Sequence, residues 1–283
     1  MRLSLKNISS DSINGNYITQ NYQEKTNISD TNTNWNSKTV TNPNKKDNVS
    51  IKINFLKNNE LSMFSTSLDD IGNNKKVLKD IGCSSLANLA DKAISKVDNI
   101  NNSVQYALSG FESELNTILN DTTLTSDEKK SKVKLLEAKR DAVLKEANEK
   151  ILAVVKITDA FLDIAPMFLQ LKSMGVETNE IVTTLSDLIS NINDSPSNFK
   201  QAKDLNELKD LKKDKQKNLF GNNSLDKLKN KADSYKEKEK EIKEKLSNKN
   251  INKEEKEKLQ CQLQLNKEMH RLFESLYKQL ENK

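Results

Sequence analysis

A stretch of about 40 residues that begins after Thr125 carries apolar side chains at helical spacing and contains neither glycine nor proline. Thr125 followed by Glu128 is the pattern of a capping box. Pro166 is expected to kink the helix, and Gly175 is expected to end it in a left-handed conformation. The pattern therefore predicts one long helix over residues 126–174. Its seam advances in steps of three and four through Val133, Leu136, Arg140, Val143, Ala147, Lys150, Val154, Ile157, Phe161, Ile164, Phe168 and Leu171.

Two charged residues, Arg140 and Lys150, interrupt that otherwise apolar seam. Long basic side chains at such positions either set the register of the helices or extend their charged ends to solvent. Both interpretations fit the sequence.

A second seam precedes the long helix. It is sustained for three heptads by Ala90, Ala93, Val97, Ile100, Val104, Ala107 and Phe111. Ser84 or Ser85 is the expected N-cap, and the helix is expected to end near Asn120 and Asp121.

The C-terminal region repeats this arrangement. A seam from Leu225 to Leu246 holds Glu239 in one position, and Asn252 with Glu255 three residues later predicts the start of a returning helix. The seam of that helix comprises Leu259, Leu263, Asn266, Met269, Phe273, Leu276 and Leu280. Asn266 is interpreted as a polar residue that sets the register.

Glycine and proline are too scarce for most other folds. Six glycines and three prolines in 283 residues cannot supply the turns of an all-β sandwich or the phosphate loops of an α/β nucleotide-binding fold. The predicted fold class is therefore all-α, with long antiparallel helical hairpins forming a coiled-coil bundle and a disordered N-terminal tail.

The chain divides into five predicted segments. Residues 1–48, rich in Asn, Ser and Thr, are the disordered tail. Residues 49–80 are predicted as a short strand and linker, because Val49, Ile51, Ile53 and Phe55 alternate with polar residues. That strand either pairs with residues 60–66, which include Leu61, Met63 and Phe64, or is an extended segment offered to a partner. The remaining segments are a bundle core at 81–195, a linker or weak helix at 196–222, and a C-terminal coiled-coil hairpin at 223–283.

Few residue types suited to catalysis are present. One His, one Trp and two distant cysteines, Cys83 and Cys261, provide no metal cluster, Cys–His dyad or disulfide framework. The sequence therefore predicts no enzyme activity, no catalytic residues, no metal and no cofactor.

The lysines of residues 236–245 alternate with glutamates at spacings typical of a solvated helix face, which argues against nucleic-acid binding.

The most apolar stretch, residues 151–175, has two interpretations. Lys156, Asp159 and Asp163 lie largely on one face, which favours a helix buried on its other faces by neighbouring helices. The alternative is insertion of this stretch into a membrane in a second state of the protein. No uncharged run of 18 residues occurs, so a spanning helix is not expected.

Two resemblances concern bacterial proteins. Ala93-Ile94-Ser95-Lys96-Val97-Asp98 followed by Val104 resembles the Ala-Ile-x-x-Ile-Asp and Val rhythm of the C-terminal helix of flagellins, over residues 86–119. The Arg, Leu-Gly-Ala and Asn-Arg-Leu-Glu positions that follow in flagellins are missing here. The turns within residues 112–150 and 225–283, with Leu-Thr-Ser-Asp-Glu-Lys at the first, look like those of FlxA-like coiled-coil hairpins. Both resemblances imply a flagellum-associated or exported assembly protein.

The functional hypothesis is a non-enzymatic helical protein that binds a protein partner or a second copy of itself through its seams. The candidate interaction seam comprises Val97, Ile100, Val104, Phe111, Phe161, Ile164, Phe168, Asn266, Met269 and Phe273. No apolar run of a cleaved secretory signal follows Arg2 and Lys6, so the expected location is the bacterial cytoplasm, or the exterior without a cleaved signal. The alternative is an exported membrane-acting protein, toxin-like or translocator-like, that inserts residues 151–175.

Overall fold

The secondary structure of the described part of the chain is all helical, with turns and loops between the helices. A computed structural model describes residues 63–216, 224–248 and 250–281. The predicted tail at 1–48 and the alternating residues at 49–55 lie outside the described residues. The helices are α1 (Met63–Asp80), α2 (Ser84–Asn120), α3 (Ser126–Ser173), α4 (Asn179–Ser190), a 3₁₀ turn (Phe199–Gln201), α5 (Leu205–Gln216), α6 (Ser224–Leu246) and α7 (Lys253–Glu281).

The 48-residue helix α3 is the central element of the structure. The described residues from Thr66 onward form one compact unit. Within it, α3 packs against α2 along one side and α7 along another, and also contacts α4, α5 and the 3₁₀ turn. Helix α6 packs on α7, and α4 packs on α2. The all-α prediction is confirmed for the described residues.

Local sequence signals account for both ends of α3. The Thr125 Oγ1 accepts a hydrogen bond from the Glu128 amide at 3.3 Å, and the Glu128 carboxylate accepts one from the Thr125 amide at 2.8 Å. The capping box is therefore complete. At the other end Gly175 has φ +70°, and the Val176 amide donates to the Leu171 carbonyl at 3.0 Å. These bonds satisfy carbonyls of the last helical turn, so the predicted start and end of this helix are both confirmed.

The segment 49–80, predicted as a strand and linker, is helical where it is described. Helix α1 runs from Met63 to Asp80, and Ser67, Ile71 and Leu78 on it are buried at spacings of four and seven. That helical spacing lies beyond the alternating residues 49–55, so the prediction of a linker is wrong for residues 63–80. Met63 and Phe64 are the first two residues of α1, so they do not belong to a strand of the kind predicted for residues 60–66.

A turn after α1 shifts the start of α2. Gly82 has φ +79°, and the Cys83 amide donates to the Leu78 carbonyl at 2.8 Å. Cys83 is thereby the N-cap of α2, and the prediction of Ser84 or Ser85 is wrong. The predicted end of that helix is confirmed, because α2 ends at Asn120.

The described residues of the segment predicted as a linker or weak helix, 196–216, pack on the rest of the described chain. Phe199, Ala202 and Leu208 in it are buried. Asp204 accepts hydrogen bonds from the amides of Asn206 and Glu207 at 2.7 and 3.0 Å, which lower the pKa of its carboxyl and cap α5.

Candidate interaction surface

The predicted interaction seam lies within the core of this chain. Nine of its ten residues are at most 3% exposed: Val97, Ile100, Val104, Phe111, Phe161, Ile164, Phe168, Met269 and Phe273. They come from α2, α3 and α7 and pack these helices together. Their use in binding a partner stays a prediction.

Asn266, the tenth seam residue, is half-buried on α7. Its Nδ2 donates to the Gln262 carbonyl at 2.9 Å, which is a bond within its own helix. A side chain satisfied in this way does not need a polar partner on a facing helix.

The two charged residues of the α3 seam are buried. Arg140 is 1% exposed and donates through Nε and Nη2 to the Asp141 carboxylate at 2.9 and 2.7 Å. Lys150 is 2% exposed, donates to the Ser195 carbonyl at 2.8 Å and pairs with Glu146 at 2.7 Å. Lys150 therefore holds a loop segment in place instead of extending to solvent.

That loop segment, residues 194–200, is called the strap below. Four polar contacts fix the strap to α2 and α3, and one of them is the Lys150 bond just described. Lys96 pairs with Asp194 at 2.6 Å, Lys150 donates to Ser195, the Ser197 amide donates to Glu146 at 3.0 Å, and Lys139 donates to the Lys200 carbonyl at 3.2 Å. The strap is thus tied to the helices along its whole length.

An open groove lies between the strap, α2 and α3, and is called the Tyr106 groove below. It has a volume of about 490 Å³. Its lining is largely apolar, with Ala107, Phe111, Val143, Pro196 and Phe199. Tyr106 stands at its edge and is 83% exposed, the highest exposure among the large hydrophobic side chains in the described residues.

Lys200 also lines the Tyr106 groove. Its ammonium lies 5.9 Å from the centre of the Phe111 ring, which is within the range of a cation–π contact. Its side chain also lies against Gly110, where an added Cβ would be 2.5 Å from the Lys200 Nζ. Glycine at position 110 therefore makes room for this lysine. Such a lining is suited to bind an apolar or aromatic side chain.

The sequence patterns did not identify this groove. Tyr106 lies outside the seam because it follows Val104 by only two residues, so helical periodicity gave it no role. The strap contributes Pro196 and Phe199 from a segment predicted as a linker. One sequence feature could have indicated the groove: the aromatic residue Tyr106 lies close in sequence to the small residues Ala107 and Gly110. Small residues allow another segment of protein to approach a helix closely.

The other reactive side chains occupy different parts of the molecule. His270 Nδ1 lies 3.1 Å from the buried Glu239 carboxylate, which joins α7 to α6. Burial raises the pKa of both cysteine thiols, so Cys83 and Cys261 favour the protonated form.

Within residues 63–216, 224–248 and 250–281, no group of three His, Cys, Asp or Glu side chains is placed to hold a metal ion. No described helix is both long and apolar enough to cross a membrane.

Neither a protein-family model nor a curated protein nor a solved structure matches this chain.

Proposed function

We propose that this chain is a non-enzymatic helical protein that acts by protein–protein assembly and that the Tyr106 groove is its binding surface. The observation that carries the proposal is an aromatic side chain, 83% exposed, at the edge of an open apolar groove. Exposed Tyr residues beside well-packed pockets are typical of the residues that dominate binding energy at protein interfaces.

The polar contacts that hold the strap against the helices support this proposal. The strap forms one wall and is held by Lys96, Lys139, Glu146 and Lys150. A surface that is already ordered loses less conformational entropy when a partner binds. The partner is a protein that inserts an apolar side chain, or a second copy that inserts its own Tyr106.

The proposed architecture is two antiparallel coiled-coil hairpins, α2 with α3 and α6 with α7. Their packing, together with short connections after Asn120 and Leu246, supports this arrangement. We place the assembly in a bacterial flagellar or secretion setting, in the cytoplasm or exported without a cleaved signal. Tyr106 falls within residues 86–119, the part that resembles the flagellin C-terminal helix.

The membrane-acting alternative is less well supported. The apolar side chains of residues 151–175 that would have to meet lipid include Phe161, Ile164 and Phe168, which are at most 2% exposed. Insertion would therefore require the helices that pack on α3, among them α2 and α7, to separate from it. A liposome leakage assay separates the two proposals, because a protein that acts by assembly leaves vesicles intact.

Photo-cross-linking tests the proposal. p-Benzoylphenylalanine placed at position 106 of the full chain should form one dominant protein adduct in cells, whereas the same group at Leu152, 42% exposed on α3, should not. The adduct is identified by mass spectrometry, and binding is then measured with the purified partner or, for a self-adduct, by sedimentation velocity. Tyr106→Ala and Ala107→Trp should each weaken that binding at least tenfold. Equal adducts at both positions, or binding that neither substitution changes, would refute the proposal.

A further inference from the structure

A second cleft lies away from the Tyr106 groove, between α4 and α6. It has a volume of about 440 Å³, within the range typical of small-molecule sites. Helix α4 contributes Thr184 and Leu188, which lie one turn apart, and its C-cap Asn191 also lines the cleft. Leu228 and other residues of α6 form the opposite wall of the cleft, and Phe273 of α7 also lines it.

The floor of this cleft is apolar and rigid. Leu188, Leu228 and Phe273 are each at most 6% exposed. Phe273 stacks on Tyr235, with ring centres 5.7 Å apart and an interplanar angle of 20°. Burial also raises the pKa of the Tyr235 phenol, so this neighbour of Phe273 stays neutral. The floor therefore favours an uncharged, apolar part of a ligand.

The rim of the cleft carries an excess of positive charge. Lys227 and Lys231 lie one turn apart on α6, so both ammonium groups can reach the same anion. Asp187 stands on the α4 side. Counting only residues that the structure describes, none of these three side chains forms an ion pair within the chain. Two positive charges and one negative charge leave the rim with a net charge of +1.

We propose that this cleft binds a small amphipathic monoanion, specifically a free aliphatic carboxylate. The aliphatic chain lies on Leu188, Leu228 and Phe273, and the carboxylate lies between the ammonium groups of Lys227 and Lys231. Asp187 repels a second negative charge, so a monoanion is favoured over a dianion such as an alkyl phosphate.

Titration of the full-length protein with decanoate, followed by NMR of ¹⁵N-labelled backbone amides, tests the site. Shifts should be confined to the amides of α4, α6 and the neighbourhood of Phe273. Decanol has the chain without the charge, and butyrate has the charge with a short chain. Decanol should bind roughly three- to tenfold more weakly than decanoate, because exposed charge contacts contribute modestly. Butyrate should bind at least tenfold more weakly, and decyl phosphate should bind more weakly at a pH where it is a dianion.

Matched charge-removing variants test whether decanoate binding depends on the two lysines of the cleft. Lys227→Gln combined with Lys231→Gln should weaken decanoate binding roughly three- to tenfold, since each exposed charge contributes modestly. Lys229→Gln combined with Lys240→Gln removes the same charge from exposed positions outside the cleft and should leave affinity unchanged. Asp187→Asn should strengthen binding about two- to threefold. Ser234→Trp should block the opening without changing charge.

Three results would overturn the proposal. Decanol could bind as tightly as decanoate, the two lysine double variants could lose affinity equally, or the shifts could spread over the whole molecule. A further arm uses vesicles of phosphatidylglycerol in cosedimentation. Lysine-dependent binding to vesicles without binding to free decanoate would assign the cleft to a membrane lipid and refute a free acid as ligand. None of these outcomes depends on the Tyr106 groove.

Discussion

Lys150 shows how one buried charge fixes a surface. Its ammonium pairs with Glu146 and donates to the Ser195 carbonyl, so it connects the inside of α3 to the strap. Removing one member of such a group leaves the other polar atoms buried without a partner.

Lys150→Ala should therefore lower the free energy of unfolding by about 3–5 kcal/mol. Lys150→Met keeps most of the volume and should lower it by about 1–3 kcal/mol. Lys145→Ala, an exposed position on the same helix, should change it by no more than about 0.5 kcal/mol. Urea unfolding measures all three, and a similar loss for Lys145→Ala and Lys150→Ala would show that Lys150 has no special role.

Asp163 has the opposite effect on stability. Burial, followed by the nearby carboxylates of Glu268 and Asp159, raises the pKa of its carboxyl, and Arg271 only partly opposes this. A raised pKa in the folded state means that the ionised form is disfavoured on folding. The penalty is present above the folded-state pKa and disappears below the unfolded-state pKa.

Asp163→Asn should therefore raise the melting temperature at pH 7, and its advantage over the unchanged protein should shrink as the pH falls through the acidic range. Asp98→Asn, at an exposed position on α2, is the control. Calorimetry at pH 7 and pH 3 measures the effect. An advantage that persists undiminished at pH 3 would contradict an electrostatic origin.

The sequence showed where charged residues interrupt a seam but not what they bind. Arg140 and Lys150 were recognisable as exceptions because every neighbour in the seam is apolar. Their partners, Asp141 and the strap, were not recognisable. Ser195 is 45 residues from Lys150, and a backbone carbonyl has no signature in a sequence.

At the scale of whole helices, α3 is stabilised by the burial of its apolar seam. Phe161 is fully buried, whereas Leu152 on the same helix is 42% exposed. Truncation of a large buried side chain leaves a cavity that neighbours fill only in part.

Phe161→Ala should lower the free energy of unfolding by about 3–5 kcal/mol. Leu152→Ala removes a leucine from the exposed face of the same helix, and should lower it by less than about 1 kcal/mol. Chemical unfolding monitored by circular dichroism measures both. A small effect at Phe161 would mean that the α3 seam is not packed in the isolated protein, and would favour the membrane-acting alternative.

Helix boundaries were predictable where a side chain performs the capping. Thr125 with Glu128, Asn252 with Glu255, and Gly175 each mark an end that the structure has; the Glu255 amide donates to Asn252 Oδ1 at 2.8 Å. The start of α2 was not predictable in this way, because Cys83 caps it through backbone bonds of the preceding turn.

At the scale of the whole molecule, α7 joins two parts that the sequence pattern divided. The predicted segments 81–195 and 223–283 belong to one compact unit, in which α7 packs on both α3 and α6. A heptad seam shows that a helix face is apolar but not whether its partner is the same chain. The same limit explains why the seam residues were predicted as an interaction surface and are packed in the core.

Asn266 tests this view of α7. Because its Nδ2 donates within its own helix and not to a facing one, Asn266→Leu should raise the melting temperature by adding apolar area, without changing the oligomeric state. Sedimentation velocity of the full chain, beside thermal unfolding, measures both. A change in the sedimentation coefficient would restore the interpretation of Asn266 as the residue that sets the register of an assembly.

The contact between α3 and α7 has a consequence for synthesis of the chain on the ribosome. Gln279 donates to the Glu149 carbonyl, 130 residues earlier in the sequence. The face of α3 that α7 covers is complete at Ser173, but α7 ends only at Glu281. At about 5–20 residues per second, that apolar face stays uncovered for about 5–20 s after it is made. In this interval it is available to chaperones, and to the same face on neighbouring nascent chains of one polysome.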